Sequence, residues 1–450
     1  MLAKFKKKYI GDWDFYQKYL LLAIPMILQN AITNLVSFLD NIMVGQLGTE
    51  QMSGVAIVNQ LIFVYNLAIF GAVSAASIFG AQYFGKGNHK GHMYSFRFKL
   101  YATLLVTGGA ILLFLTKGSA LISLYLTDTV GNGATDLALQ YGLEYLAIMM
   151  VGLIPFAVNQ SYATNIKETG QTFIPMLASF VAVGTNAILD YLMIFGIGPF
   201  PELGVQGAAL ATVIARYIEA LIVVIWAHIH RGKNRYLEGA YTGFGIPLAE
   251  LKAVLRAAGM TTVTQCYSVR GLNVVAGLNI ASTITNLFNI VYLQLGSCIS
   301  IVVGQYLGAG KLEDAKDADN KMIVFSVFCC VIMAALMFVV GGFFPGIYNT
   351  TEEIRELATS FIAVSAIIMP FCAFSHASYF TLRSGGKTVV TFLFDSVFTW
   401  VIVVPAAYLL AHFTGLGIVS IYFLVQGTEL IKVIIGYLMV KSNVWVVQMV

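Results

Sequence analysis

Long stretches without charged residues alternate with short polar segments along the whole chain. No residue between Lys18 and Asp40 is charged, and none between Glu50 and Lys86 is charged. A helix that crosses a hydrocarbon core of about 30 Å needs about 20 mostly apolar residues. Dividing the longer stretches at Gly-, Asn- and Pro-containing breaks predicts twelve membrane spans, numbered 1 to 12, at residues 17–43, 52–84, 95–116, 134–158, 168–196, 206–229, 254–278, 284–307, 321–342, 355–382, 387–411 and 415–440. These continuous apolar runs lack the short alternating segments of a membrane β-barrel.

The charge content excludes most classes of soluble protein. Charged residues make up 11% of the 450 residues and hydrophobic residues make up 58%, whereas about 25% of an average soluble protein is charged. So few charges cannot cover the surface of a soluble protein of this size. Soluble enzymes, nucleic-acid-binding proteins and disordered scaffolds are therefore excluded.

The distribution of Lys and Arg predicts the orientation in the membrane. The N-terminal arm with the first residues of span 1 carries five of these residues, and the segments after the even-numbered spans, counted with the first residues of the next span and with the C-terminus, carry sixteen. The segments after the odd-numbered spans carry only two. By the positive-inside rule, this asymmetry predicts a multi-pass protein of the cell (inner) membrane with both termini in the cytoplasm.

The sequence contains an internal repeat. Residues 77–87 read SIFGAQYFGKG and residues 300–310 read SIVVGQYLGAG, so that six of eleven positions match at an offset of 223. A shorter match, GQT at 170–172 and GKT at 386–388, lies at the start of spans 5 and 11. Because the matching segments are six spans apart, both halves have the same topology. The sequence therefore predicts an all-α polytopic membrane protein of two parallel six-helix bundles, related by a pseudo-two-fold axis along the membrane normal.

The long segment between spans 6 and 7 is the predicted boundary of the two bundles. We predict an N-lobe at residues 1–230 with helices 1–6, a cytoplasmic linker at 231–253, and a C-lobe at 254–450 with helices 7–12. Two bundles around a central cavity are typical of a transporter, although a fold alone does not determine function. The sequence has no P-loop and no soluble segment long enough for an ATPase domain, so the predicted energy source is an ion gradient.

Charged side chains inside the predicted spans are candidates for function, because each costs a few kcal/mol at the bilayer centre. The candidates among them are Asp40, Asp190, Arg216, Glu219, Arg270, Asp395, Glu429 and Lys432. Arg216 and Glu219 are three residues apart on one helix, as are Glu429 and Lys432, so each pair is predicted to neutralise itself.

Asp40 and Asp190 have no such neighbour. Asp190 shares a helix face with Asn186, and Asp40 lies roughly 33 Å along its helix from Lys18, at a depth similar to that of Asp190. Thr212 lies roughly 12 Å into the membrane from the outer end of span 6, which brings it to an overlapping depth. Two carboxylates, an amide and a hydroxyl form an oxygen set that suits a proton or a hard cation. The alternative is that each group only hydrogen-bonds a neighbouring helix.

Four segments resemble the multidrug and toxic compound extrusion (MATE) family, and the resemblance extends over nearly the whole chain. They are FLDNIMVGQLG at 38–48, QYFGKG at 82–87, NAILDYLMIFG at 186–196 and GVQGAALAT at 204–212. The resemblance implies a twelve-helix exporter with two lobes around a V-shaped cavity, driven by sodium or proton antiport. It also implies that the N-lobe proton or sodium site consists of Asp40, Asn186, Asp190 and Thr212, with Tyr145 as the counterpart of a tyrosine on span 4.

The sequence departs from another branch of that family, which has acidic residues on span 7 and near the start of span 10 or 11. At these positions the chain has Val269 and Arg270, and then Lys387. We therefore predict coupling through the N-lobe alone. The C-lobe charges Arg270 and Asp395 are predicted to pair across the cavity, because a buried charge needs a partner. The alternative is that Arg270 meets an anionic substrate or lipid.

These observations predict an exporter of amphipathic, often cationic, organic compounds, which works by alternating access and antiport against protons or sodium. Its expected partners are small organic substrates and the lipid bilayer, with no nucleic acid, no cofactor and no enzymatic activity, and the expected state is a monomer. The alternative is a flippase for lipids or lipid-linked saccharides from a related exporter family. A flippase needs several basic residues to hold a pyrophosphate, and the candidates are Arg216, Arg270 and Lys432.

Overall fold

The computed structural model describes residues 9–123, 132–242, 272–347 and 351–449, which form helices and connecting segments without a strand among them. The α-helices are α1 (Trp13–Gly45), α2 (Thr49–Lys86), α3 (His89–Ser123), α4 (Asn132–Val151), α5 (Leu153–Glu168), α6 (Phe173–Ile194), α7 (Gly204–Ile229), α8 (Leu272–Gly308), α9 (Leu312–Gly341), α10 (Glu352–Ser384), α11 (Thr388–Phe392), α12 (Val404–Phe413), α13 (Ile418–Gly427) and α14 (Glu429–Lys441). Two π-helical turns, Leu393–Val397 and Thr399–Val403, lie between α11 and α12. Seven of the described helices, and α13 together with α14, are long and apolar enough to span a membrane, which makes eight spans, or nine if the bent pair α4–α5 is one span. The predicted all-α membrane fold is confirmed.

The boundary predicted between spans 7 and 8 is wrong. α8 is one continuous helix of 37 residues, whereas the sequence analysis placed a break at residues 279–283. Ile280 and Ala281 are buried there, and the Thr285 hydroxyl donates to the Ser282 carbonyl at 3.3 Å. Small polar residues are compatible with a membrane helix when they bond to the carbonyls of that helix.

Predicted span 4 consists of two helices. α4 ends at Val151, α5 begins at Leu153, and their axes differ by 44°. Pro155 lies in the first turn of α5 and has no N–H to donate to the Val151 carbonyl, which explains why the helix breaks here. α5 then continues to Glu168, past the predicted end at residue 158.

The described residues belong to two compact units. The N-terminal unit comprises residues 28–80 and 88–242, and the C-terminal unit comprises residues 9–27, 81–87 and the described residues from 272 onward. In the core of the C-terminal unit, Tyr19 and Met26 of α1 pack in one cluster with Leu295 of α8, and the Tyr19 hydroxyl donates to the Leu295 carbonyl at 2.8 Å. The beginning of α1 and the end of α2 are thus parts of the C-terminal unit. The lobe boundaries at 230 and 254 stay a prediction.

The two copies of the repeat meet inside the C-terminal unit, where α2 and α8 end. A Cβ atom on Gly85 would overlap the backbone carbonyl of Gln305, and a Cβ atom on Gly308 would overlap that of Gln82. The contacts are reciprocal between positions 223 residues apart, as in an isologous interface. This repeat crossing, as we call it, needs glycine because only a residue without a side chain lets two backbones approach so closely.

The amide of Gln82 satisfies backbone groups at the repeat crossing. Gln82 is fully buried; its Nε2 donates to the Ser384 carbonyl at 2.7 Å, and its Oε1 accepts the N–H of Met449 at 2.9 Å. Gln448 Nε2 donates to the Gly308 carbonyl at 3.1 Å. The crossing is therefore bonded both to the end of α10 and to the segment after α14.

We predict that Gly308→Ala destabilises the protein, because the new methyl group would force the two backbones of the repeat crossing apart. Overpacking of this kind costs about 1–3 kcal/mol. Gly108→Ala is the matched control: Gly108 is also helical, but a Cβ there has no neighbour within 4 Å, and the change is expected to be neutral or stabilising by up to about 1 kcal/mol. Apparent melting temperatures in detergent measure both, and equal values for the two variants would contradict the role of the crossing.

Candidate functional site

Close packing of α6 against α7 brings three of the predicted site residues to one place in the N-terminal unit. A Cβ atom on Gly207 of α7 would lie 2.6 Å from the Met193 carbonyl oxygen of α6, so the helix backbones nearly touch. At this distance the Asn186 amide donates to the Thr212 hydroxyl at 3.4 Å. Asp190 lies one turn along α6 on the same face, with no exposed surface, and Asn186 is 5% exposed.

The remaining predicted site residues have different positions. Tyr145 of α4 is buried, and its hydroxyl donates to Asn59 Oδ1 at 3.4 Å. Asp40 belongs to α1 and Asp395 to a π-helical turn, but the side chains of both lie outside the described residues, as does the whole of Arg270. The five-residue coupling site and the Arg270–Asp395 pair therefore stay predictions.

We call Asn186, Asp190 and Thr212 the α6–α7 group. It has the oxygen donors that the sequence predicted. The carboxyl group of Asp190, the amide oxygen of Asn186 and the hydroxyl of Thr212 are all hard oxygen donors. An ionisable residue buried within a membrane helix is a candidate for a proton or ion pathway. The site can hold a proton on the carboxyl group, or a sodium ion among the oxygens.

Arg216 stabilises the break between α4 and α5 instead of pairing with Glu219. Its guanidinium donates to the Gly152 carbonyl at 3.4 Å and lies 5.2 Å from the centre of the Phe156 ring. The Tyr65 hydroxyl donates to the neighbouring Leu153 carbonyl at 2.9 Å. Arg216 and Tyr65 thus supply donors to carbonyl groups at the break.

Glu219 has its own hydrogen-bond partners, so the described residues form no direct Arg216–Glu219 salt bridge, although the two charges still attract each other. The Ser179 hydroxyl donates to Glu219, and Gln29 Nε2 donates to Ser179 at 2.8 Å. The other predicted pair is confirmed, because Lys432 Nζ lies 3.5 Å from Glu429 Oε2 in the C-terminal unit. The spacing of three residues allowed both pairs, and the helix break decided the outcome for Arg216.

A buried ion-pair cluster joins the beginning of α3 to the end of α5. Lys99 Nζ donates to Glu168 Oε1 at 2.5 Å and to Asn165 Oδ1 at 2.6 Å, and His92 Nε2 lies 3.3 Å from Glu168 Oε2. All four residues are at most 2% exposed. The sequence did not predict this cluster, because hydropathy alone does not show that Lys99 and Glu168, near the starts of predicted spans 3 and 5, meet inside the protein. The signal was available, since the segment SFRFKLY around Lys99 is otherwise mostly apolar.

Long apolar helices with charged groups paired inside them define the class: a multi-pass α-helical membrane protein. The chain belongs to the MatE family, whose model matches residues 25–192 and 251–409. It is 23% identical over 411 residues to "Probable multidrug resistance protein NorM" of Thermotoga maritima, with 89% of this chain and 86% of the relative covered. It is 24% identical over 429 residues to "Multidrug and toxin extrusion protein 1" of Xenopus tropicalis, with 91% of this chain and 71% of the relative covered.

Solved MATE structures have the same fold. A crystal structure of MATE in complex with MaL6 matches with a TM-score of 0.84 at 20% identity, covering 96% of each chain. An outward-facing multidrug resistance MATE transporter matches with a TM-score of 0.83 at 20% identity, also over 96% of each chain. The predicted family is confirmed, and with it the prediction that the protein is a membrane transporter and not an enzyme.

We predict that Lys99→Met strongly destabilises the protein, because Glu168 stays buried without its ammonium partner. Breaking a buried ion pair by removing one partner costs about 3–5 kcal/mol. The control is Lys316→Met, which removes a partner of Glu313 from a pair that is largely exposed on the Glu side, where about 0–1 kcal/mol is expected. Thermal unfolding in detergent measures both variants. Similar losses of stability in the two would show that the buried cluster stabilises the protein no more than the exposed pair does.

Proposed function

We propose that the protein is a secondary active exporter that moves amphipathic, often cationic, organic compounds outward in exchange for protons or sodium ions. The observation that carries this proposal is the buried carboxyl group of Asp190, one turn from the Asn186–Thr212 hydrogen bond. A carboxyl group on an apolar membrane helix can bind the proton or sodium ion of a transporter whose energy source is an ion gradient. The names of the multidrug relatives support the same substrate class.

The coupling is a competition between ion and substrate for two conformations. Asp190 would bind the proton or sodium ion together with Asn186, Thr212 and the side chain of Asp40, with Tyr145 nearby. An ion that prefers one conformation shifts the equilibrium toward it, and a substrate that prefers the other shifts it back. Export then proceeds by alternating access without a cofactor.

The proposed setting is the cell membrane, with both termini in the cytoplasm and the protein acting as a monomer. The Lys and Arg asymmetry supports this orientation. The internal repeat supports an N-lobe at 1–230 and a C-lobe at 254–450, joined by the linker at 231–253.

The contacts of the basic residues favour drug export over the flipping of lipid-linked saccharides. Arg216 is bonded to the Gly152 carbonyl and Lys432 is paired with Glu429. Two of the three basic residues that a flippase would direct at a pyrophosphate thus have protein partners. Arg270, the third, lies outside the described residues.

We predict that Asp190→Asn abolishes gradient-driven efflux, because an amide cannot take up the proton or carry the charge that holds sodium. The experiment loads proteoliposomes with ethidium and imposes a proton gradient or a sodium gradient in separate runs. The wild type should respond to one of the two, which names the coupling ion. Asp40→Asn should behave as Asp190→Asn does.

Asp136→Asn is the matched control, since Asp136 is an exposed carboxylate of the same unit. It should transport at the wild-type rate. Gradient-driven efflux that persists in folded Asp190→Asn protein would remove the coupling role of this site. No efflux by the wild type under either gradient would direct attention to lipid flipping.

A further inference from the structure

Asp319 is a buried carboxyl group of the C-terminal unit that the proposed antiport does not use. It lies near the start of α9 and is 1% exposed, beside the fully buried Thr381 of α10. Its Oδ1 atom is 2.5 Å from the Thr381 hydroxyl oxygen. In the described part of the chain, no donor reaches its other oxygen, Oδ2.

The hydrogen bonds around Thr381 fit a neutral carboxylic acid better than a carboxylate. The Thr381 oxygen contacts Asp319 Oδ1 and, at 3.0 Å, the Ala377 carbonyl, but a hydroxyl has only one hydrogen to donate. If Asp319 is protonated, its O–H donates to Thr381, and Thr381 donates to Ala377. Both contacts are then hydrogen bonds, whereas an ionised Asp319 leaves one of them without a proton.

The charged neighbours of Asp319 are directed elsewhere. The charged residues near Asp319 along α9 are Glu313, Asp314, Lys316, Asp317 and Lys321, and Arg383 follows Thr381 by two residues on α10. Lys316 and Lys321 pair with acids of their own helix at 2.6 and 2.5 Å, and Arg383 lies 6.0 Å from the centre of the Tyr379 ring. Among the described residues, no cation is within ion-pair distance of Asp319, and a buried ionised carboxylate without such a partner is costly.

The N-terminal unit provides an internal comparison. The GQT and GKT segments are 216 residues apart, and this offset places Thr381 at the position of Asn165. Asn165 accepts a hydrogen bond from Lys99, which also neutralises Glu168. Equivalent helix junctions thus hold a carboxylate with its cation in one unit, and a carboxyl group whose one partner among the described residues is a hydroxyl in the other.

We propose that Asp319 is a proton-binding site of the C-terminal unit. It holds a proton while the α9–α10 junction is closed, and it releases the proton to water when the junction opens. Opening breaks the carboxyl O–H bond and leaves a hydrated carboxylate, and closing reverses both changes. Its part in transport rests on the proposed antiport, whereas its protonation does not.

Infrared difference spectra of the reconstituted full-length protein at pH 7 test the site directly. Subtracting the spectrum of Asp319→Asn from that of the wild type should leave a protonated-carboxyl C=O band, since the amide preserves the shape of the neutral acid. Asp314 is an exposed residue of the same helix, so subtracting Asp314→Asn should leave carboxylate bands instead. Thr381→Val removes the acceptor of the carboxyl proton and should shift the protonated band.

Carboxylate bands alone in the Asp319→Asn difference would overturn the proposal, whatever the transport result. The transport readout is ethidium efflux as a function of pH on the side of the α9 start. Wild type and Asp314→Asn should share one pH profile, and Asp319→Asn should lose the part of the pH dependence that proton release from this carboxyl group causes. A wild-type profile in Asp319→Asn would overturn release during transport, and this result is distinguishable from failure of the antiport itself, which Asp190→Asn reports.

Discussion

The contact between the two copies of the repeat is one of the tightest backbone contacts in the described part of the C-terminal unit. Gly85 and Gly308 let two backbones approach until a single methyl group would collide with a carbonyl oxygen. At that distance there is no room for water, so the polar backbone groups nearby need partners from the protein. Gln82 supplies them by bonding to Ser384 and Met449. In the segment QYFG at residues 82–85, Gly85 thus permits the close approach, and Gln82 provides hydrogen-bond partners for the backbone groups buried by it.

The same requirement decides the role of the charged residues inside the helices. A helix break in a bilayer exposes carbonyl groups to a medium without hydrogen-bond donors. Arg216 and Tyr65 bond to the carbonyls at the α4–α5 break, and this explains why the Arg216 guanidinium makes no direct salt bridge with Glu219. The role of a charged residue within a span can therefore be inferred only when its bonding partners are known. The α6–α7 group is a stronger candidate for coupling than Arg216 because its members are oxygen donors and not the support of a break.

The structure could be predicted from the sequence where one physical signal dominates. Long apolar runs predicted the helices, and the spacing of four residues between Asn186 and Asp190 predicted a shared face that α7 meets at Thr212. It was insufficient where composition and geometry compete. The Gly- and Asn-containing segment before Ile280 indicated a break, but α8 continues through it, and the Thr285 hydroxyl bonds to a carbonyl of the same helix. The ion pair of Lys99 and Glu168 was not predicted, because hydropathy cannot show that two distant charges neutralise each other inside the protein.

The repeat preserves backbone geometry more strictly than it preserves chemistry. Gln82 and Gln305 match, as do Gly85 and Gly308, because any side chain at those glycines would push the crossing apart. Thr381 and Asn165 occupy equivalent positions but bond to a carboxyl group and an ammonium group. A side-chain site can change after duplication as long as its new charges are satisfied, whereas a backbone contact cannot. The two halves of a repeated transporter can therefore differ in their ion-binding residues. The non-acidic residues at Val269 and Lys387 of the C-terminal half fit such a difference.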